Sequence, residues 1–295
     1  MQLVINALSK TYPNGVQAVK NVSLTLNNGM FGLLGPNGAG KSSLMRTIAT
    51  LQEADEGTIF LDDLNVLTQK KQTRQLLGYL PQEFGVYPRI SAEQMLDHIA
   101  RLKGIGNASE RKELVDALLD NVNLYKDKKK RLGTYSGGMK QRFGIAQALI
   151  GNPKLIIVDE PTAGLDPAER NRFYNLLSYI GENTIVILST HIVEDVSTLC
   201  SHFAIINEGE VLYAGTPDDA LLEMNGKVYS KSIPKNAVQQ YKNQYHVIST
   251  QLKAGSLYIR VFSKEHPGDD FIPGEPTLED VYFYHVGEKA AINIF

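Results

Sequence analysis

Apolar positions along this chain change period several times, and the changes divide it into elements. Leu3 to Leu8 and Val16 to Leu26 alternate or run apolar around the turn Tyr12-Pro13-Asn14-Gly15, which predicts two short strands. Met30 to Leu34 is a third apolar run of strand length, and Ser43 to Leu51 takes helical spacing. Thr58 to Leu61 and Leu76 to Pro81 predict further strands. From Ser91 to Leu119 the period is helical: Met95, Ile99 and Leu102, then Leu114, Leu118 and Leu119, recur at three-to-four spacing. Ser91 and Gln94 make a capping-box pattern at its start.

Leu155 to Asp159 and Thr184 to Ser189 return to short β-branched runs, with helical stretches at Pro167 to Ile180 and Val193 to Cys200. Strand and helix in alternation predict a mainly parallel sheet with buried strands. Asp218 to Met224 predicts a short helix that closes the domain. Beyond Gly226 the pattern is strand-rich, with Lys227 to Ser232, Tyr245 to Leu252, the turn Ala254-Gly255 and Ser256 to Phe262. Pro234 to Tyr241 reads as helix, and the Pro/Gly-rich stretch Pro267 to Pro276 leads into a last helix from Thr277. The expected organisation is an α/β domain over 1–225 with a helical insert at about 89–150, followed by a small α/β domain over 226–295.

Composition narrows the classes. With 295 residues, 43% hydrophobic and 21% charged, the chain is long enough for one large core and a smaller one. A net charge of −2 supplies no general electrostatic ground for binding nucleic acid, and none is expected as a partner. The basic run Lys126 to Arg131, broken only by Asp127, reads as a solvated helix end or loop in preference to a polyanion site. Cys200 is the single cysteine, which rules out an internal disulfide framework. Its apolar setting reads as a buried thiol rather than a nucleophile, and a reducing, cytosolic location fits. Met1 to Lys10 lacks a secretory-signal pattern, and no segment approaches 18 consecutive apolar residues. The chain is not expected to cross a membrane by itself.

The candidate chemistry starts at Gly35-Pro36-Asn37-Gly38-Ala39-Gly40-Lys41-Ser42-Ser43, which fills every fixed position of the phosphate-cradling pattern G-x-x-x-x-G-K-[ST]. Glycines let backbone N–H groups turn inward around an anion, Lys41 adds a point charge, and the Ser42 hydroxyl is a ligand for Mg²⁺. The helix after the loop aims its unpaired N–H groups and positive dipole end at the phosphates. Leu155 to Thr162 is an apolar strand that ends in two adjacent acids. In phosphate-loop ATPases a carboxylate at such a strand tip completes the Mg²⁺ shell, a role that suits Asp159, and Glu160 is placed to orient and polarise an attacking water.

A second glycine turn, Ser136-Gly137-Gly138, opens the helical stretch from Met139 to Ile150, between the helical insert and the acidic strand. At this point the chain resembles the ATP-binding subunits of ABC transporters, whose signature run holds that place. The resemblance implies a P-loop NTPase fold with a mainly parallel core sheet, an N-terminal antiparallel β subdomain and a helical signature subdomain. It implies ATP and Mg²⁺ as ligands, and ATP hydrolysis coupled to transport as the activity. Gln82 looks like the family's glutamine loop, which also reaches the metal; Gly164-Leu165-Asp166 looks like its aspartate loop, and His191 its switch histidine. Tyr12 resembles the aromatic that stacks on adenine, or simply flanks a turn. The family's usual Leu and Gln around the signature are here Tyr135 and Met139.

Family likeness further implies that two such domains sandwich two ATP molecules, each between the Gly35 to Ser43 loop of one copy and the Ser136 to Gly138 turn of the other. His191 and Gln82 then sense the γ-phosphate. The segment with Phe84, Tyr87 and Pro88 either receives a coupling helix from a transmembrane permease subunit or packs under the insert. Thr277-Leu278-Glu279-Asp280-Val281-Tyr282 resembles the tail of exporter-type subunits, although helix capping by Thr277 accounts for it equally. The expected location is the inner face of the cell membrane, through that partner. The competing readings are a soluble ABC-family ATPase outside transport and a regulatory ATP-binding protein without turnover; the intact Glu160 and His191 speak against the second.

Overall fold

The computed structural model describes residues 1–82, 85–162, 166–268 and 270–287. Phe84 and the Gly164-Leu165 part of the aspartate loop therefore lie outside the described residues. In chain order the first half forms β1 (Gln2–Thr11), β2 (Gln17–Asn27), β3 (Gly29–Leu34), α1 (Lys41–Ile48), β4 (Glu56–Leu61), β5 (Leu64–Asn65), α2 (Lys70–Leu76), β6 (Leu77–Leu80), α3 (Ala92–Leu102), α4 (Ala108–Asn121) and α5 (Gly137–Ala148). There follow β7 (Leu155–Asp159), α6 (Pro167–Gly181), β8 (Ile185–Thr190), α7 (Val193–Leu199), β9 (His202–Asn207), β10 (Glu210–Gly215) and α8 (Pro217–Met224). The last stretch holds β11 (Val228–Ile233), α9 (Val238–Gln244), β12 (His246–Lys253), β13 (Ser256–Phe262), β14 (Ile272–Pro273) and α10 (Leu278–Val286).

The central sheet has the order β10-β9-β3-β8-β7-β6. All its neighbours pair in parallel except β10, which returns antiparallel beside β9. β7 and β8 are buried along their whole length, and their side chains alternate between two cores. Ile156, Val158, Val186 and Leu188 join the helices on one face, whereas Leu155, Ile157, Ile185 and Ile187 face α1 and the antiparallel sheet β2-β1-β4-β5 on the other. Two-sided burial explains the unbroken apolar runs. The parallel arrangement also puts the ends of β3, β7 and β8 on one edge, which is where the phosphate loop, Glu160 and His191 follow.

Three features depart from the pattern-based expectation. The helical period from Ser91 to Leu119 is two helices, α3 and α4, and the Ser91/Gln94 capping box opens the first. α2 was hidden because Lys70–Leu76 is polar on nearly all sides. The hairpin of β9 and β10 lies outside the pattern-based expectation; its two-residue turn, Glu208-Gly209, has positive φ at both positions, 50° and 84°, the geometry that matches the twist of a hairpin and that favours Gly. In the basic run, Lys128 pairs with Asp116 and lies 3.6 Å from Glu93, and Lys130 pairs with Asp127 at 2.7 Å.

Beyond α8 a separate antiparallel sheet, β12-β13-β11-β14, closes over Tyr229, Ile259, Val261 and Phe271. α10 packs back onto the larger core through Leu278, Val281 and Tyr282. One carboxylate ties this helix to the sheet. Asp280 accepts Arg260 Nε at 2.7 Å and Nη2 at 2.6 Å, and its Oδ2 also accepts the Thr277 N–H at 2.8 Å. Capping box and ion pair thus share one buried group. Asp280→Ala uncaps α10 and strands the largely buried Arg260, so a loss of about 3 kcal/mol is expected. Urea unfolding checks it, and an unchanged midpoint would show the pair to be idle.

Candidate functional site

Strand β3 delivers the chain into the phosphate loop, where the Gly35 N–H donates to the Thr190 carbonyl at 3.3 Å. Gly40 caps α1 at φ 104°, and a Cβ there would lie 2.2 Å from the Ala18 carbonyl oxygen. Only glycine fits that position. The β9–β10 turn braces the loop from behind: the Gly209 N–H donates to the Ala39 carbonyl at 2.9 Å, and the Gly209 carbonyl accepts from the Lys20 N–H at 2.8 Å. Lys41, 5% exposed, donates from Nζ to the carbonyls of Gly35 at 2.6 Å and Pro36 at 3.1 Å. Burial pulls its pKa below the ordinary lysine value, while the neighbouring Glu160 and Asp159 charges act in the opposite sense.

β7 ends in Asp159, and Glu160 follows it. Ser189 on β8 donates its hydroxyl to Asp159 Oδ1 at 2.5 Å and accepts the Glu160 N–H at 3.2 Å. Glu160 has φ 46°, a left-handed conformation that a non-glycine residue keeps only where its surroundings over-determine it. Its carboxylate is met from three loops: Gln82 Nε2 donates to Oε2 at 3.2 Å, His191 Nδ1 lies 3.4 Å from Oε1, and Lys41 Nζ lies 3.6 Å from the same oxygen. A cavity of about 670 Å³ opens beside this group, lined by Pro36 to Ser43, Tyr12, Lys20, Gln82 and Glu160. Ser42, Asp159 and Gln82 offer hydroxyl, carboxylate and amide oxygens, the hard donor set that suits Mg²⁺ beside phosphate oxygens.

A family model described as ABC transporter matches residues 19–163. The chain is 38% identical over 269 residues to the ABC transporter ATP-binding protein YxlF of Bacillus subtilis, covering 90% of this chain and 88% of the relative. It belongs to the ABC transporter family. The linearmycin resistance ATP-binding protein LnrL of the same bacterium is 36% identical over 210 residues, 70% of this chain and 67% of the relative. Among solved structures, a dimeric ATP-binding cassette in a post-hydrolysis state, bound to ADP and Pi, superposes with a TM-score of 0.66 at 26% identity, over 72% of this chain and 98% of that one. The protein is an ATP-binding, ATP-hydrolysing subunit of an ABC transporter, and cassettes of this kind dimerise and work with transmembrane partners.

The signature turn and Asp166 stand apart from the cavity. Ser136 caps α5, its Oγ accepting the Met139 N–H at 3.2 Å, and both Ser136 and Gly137 are exposed. Gly138 lies against the Glu169 carboxylate, which would be 2.8 Å from a Cβ at that position. Asp166 caps α6 through the Glu169 N–H at 2.9 Å. The two departures in the signature are packing choices: Tyr135 is buried edge-on to Phe143, with its hydroxyl on the Asp127 carbonyl at 3.0 Å, and Met139 packs against the same core. Tyr12 lines the cavity, and its hydroxyl reaches Ser43 Oγ and Gln52 Oε1, each at 3.0 Å. Ser189, Ala18 and Gly209 support the site without having been singled out in the sequence. Only Ser189, adjoining the Thr190-His191 strand end, carried a local signal.

Two outcomes follow from these contacts. In Gly40→Ala the added carbon meets the Ala18 carbonyl in a backbone conformation that penalises it, so nucleotide affinity should fall at least about tenfold; fluorescence titration with a labelled ADP measures it. Cys200 is buried, and burial, then the Asp195 charge, push its thiol up to about 12 from 9.0. Because the folded state favours the neutral thiol, that contribution to stability is whole below pH 9 and is lost as pH rises towards 12. Iodoacetamide at pH 8 should label Cys200 only after denaturation, and rapid native labelling would contradict the burial.

Proposed function

We propose that the cavity takes the triphosphate of ATP on the Asn37, Gly38, Ala39 and Gly40 backbone, with Lys41, Ser42 and Ser43 closing round the terminal phosphates. Gly35, expected with them, instead turns the chain into the loop, its N–H held by the Thr190 carbonyl and its own carbonyl by Lys41. Ser42, Asp159 and Gln82 would hold Mg²⁺, which when bound neutralises charge on the phosphate oxygens. Glu160 aims the attacking water, His191 and Gln82 sense the γ-phosphate, and Tyr12 flanks the adenine. The observation that carries this reading is the meeting of Lys41, Gln82 and His191 on the one Glu160 carboxylate at the cavity's edge. Three loops that answer to phosphate thereby share one acid.

Ser136, Gly137, Gly138 and Asp166 complete the site of a second ATPase subunit on ATP binding, in a homodimer or a heterodimer. Their place outside their own cavity, with the signature turn exposed, supports action in trans. The likeness to a linearmycin resistance ATP-binding protein supports an exporter, driven through a separate permease subunit. Among the described residues no helix is long and apolar enough to cross a membrane, which supports attachment to the inner face through that partner. Tyr87, two-thirds exposed beside the partly buried Val86 and Ile90, and the exposed Pro88 are the described residues of the segment that would receive a coupling helix. We assign 1–225 to the ATPase domain, with the insert at about 89–150, and 226–295 to an accessory domain, on the strength of the separate sheet and core of the latter.

Glu160→Gln should retain ATP affinity while kcat falls by about 10²–10⁴, the usual span for a lost general base. Lys41→Ala should instead lose binding. Analytical ultracentrifugation of Glu160→Gln with ATP should reveal dimers. Near-normal hydrolysis by this variant would overturn the assignment of Glu160, and a persistent monomer the sandwich.

A further inference from the structure

One carboxylate outside the cavity joins the segments that follow Glu160 and precede His191 to helix α6. Asp195, on α7, is fully buried. Its Oδ2 accepts hydroxyl hydrogen bonds from Thr162 at 2.8 Å and Thr190 at 2.6 Å, and its Oδ1 accepts the Tyr174 hydroxyl. Thr162 lies two residues beyond Glu160, Thr190 immediately precedes His191, and Tyr174 is on α6, the helix that Asp166 caps. Thr190 Oγ1 also accepts the Ile192 N–H at 2.9 Å, so the turn holding His191 is fixed from both sides.

Two considerations make this more than a packed polar group. The ladder between β7 and β8 ends at the pair Asp159↔Ser189, and Glu160 and His191 both lie past its end. The Thr162–Asp195–Thr190 bridge resumes the connection beyond the Glu160 N–H contact to Ser189, across the gap that sets how Glu160 and His191 face each other. Secondly, burying a carboxylate carries a heavy desolvation cost unless a cation offsets it. Among the described residues no Lys, Arg or His forms an ion pair with Asp195. Its partners are neutral hydroxyls, together with the buried Cys200 nearby, whose thiol its charge disfavours ionising. An apolar side chain would fill the space more favourably, whereas a carboxylate accepts all three hydroxyl donors and fixes them relative to one another.

We propose that Asp195 is a positioning residue for ATP hydrolysis: it locks the loop after β7 to the loop after β8, and so holds Glu160 and His191 in the relative placement that directs the attacking water. The inference rests on the roles given to Glu160 and His191 above. Nucleotide affinity belongs to a different part of the edge, the phosphate loop, which meets the lock through the Thr190 backbone carbonyl and not through the Thr190 hydroxyl that Asp195 holds.

The test uses the full chain, four single variants and one double variant. In Asp195→Asn one acceptor becomes an amide donor, which cannot receive a hydroxyl hydrogen; Thr162→Val and Thr190→Val remove one arm each; Glu160→Gln is run in parallel. Asp195→Asn should lower kcat at least about tenfold, with affinity for labelled ADP and ATP within about twofold of the parent. The two Val variants should each lower kcat about threefold or more, and Asp195→Asn combined with Thr190→Val should be no slower than Asp195→Asn alone, as for groups that act as one unit. Should Asp195→Asn fail to fold, the Val variants decide. Full turnover in a folded Asp195→Asn protein, or in both Val variants, overturns the proposal, as does a loss of nucleotide affinity that parallels kcat. Substantial turnover in Glu160→Gln would instead overturn the reading of Glu160 beneath it.

Discussion

Opposite charges withdrawn from water at one edge of a parallel sheet are the constraint on which the rest of this molecule turns. Lys41 is almost fully buried, Asp159 is buried at the tip of β7, and Glu160 follows it 3.6 Å from the Lys41 ammonium. Each charge alone would be expelled from such a place or neutralised there. Lys41 keeps its place because two loop carbonyls and the two acids surround it. In so dry a setting a phosphate is felt strongly, since charges there are weakly screened. The preorganisation that makes the edge costly to fold is of the kind that stabilises moving charge without further rearrangement.

The architecture can be read as a set of supports for that edge. Parallel pairing brings β3, β7 and β8 to a common end, and each is followed by a loop that carries one functional group. Behind the phosphate loop stand β2, through Ala18, and the β9–β10 turn, through Gly209. Ser189 serves Asp159 with its proton and Glu160 with its lone pair, so a single hydroxyl orders both acids. Ala18 and Gly209 also line the cavity, so these supports bound the space beside the two acids as well as bracing its walls.

At the other end of the chain the same logic is applied to anchoring. The C-terminal sheet has its own core, yet α10 gives its apolar face to the larger one, and the Arg260–Asp280 pair fixes the angle between helix and sheet. The sequence Thr277 to Tyr282, which likeness alone left divided between a family tail and a helix cap, is in this structure a cap whose carboxylate doubles as an anchor. The signature turn makes a comparable compromise: Tyr135 and Met139 spend their side chains on the helical core, and leave Ser136 and Gly137 to face outward.

Local patterns were enough to locate most of the elements and the chemistry, because both depend on residue types at short spacing. The phosphate loop, the strand-tip acids and the capping boxes at Ser91 and Thr277 are such patterns, each legible within ten residues. What escaped was decided by contacts between distant segments. Nothing near Gly209 says that it braces Ala39, nothing near Asp195 says that Thr162 and Thr190 will meet there, and nothing near Glu160 says that Gln82 will reach it across 78 positions. Periodicity reports which side of an element is buried, but a hydrogen bond forms only where two chains arrive at about 3 Å in the right orientation. That arrival is set by the packing of the sheets, and the chain in isolation does not contain it in any local form.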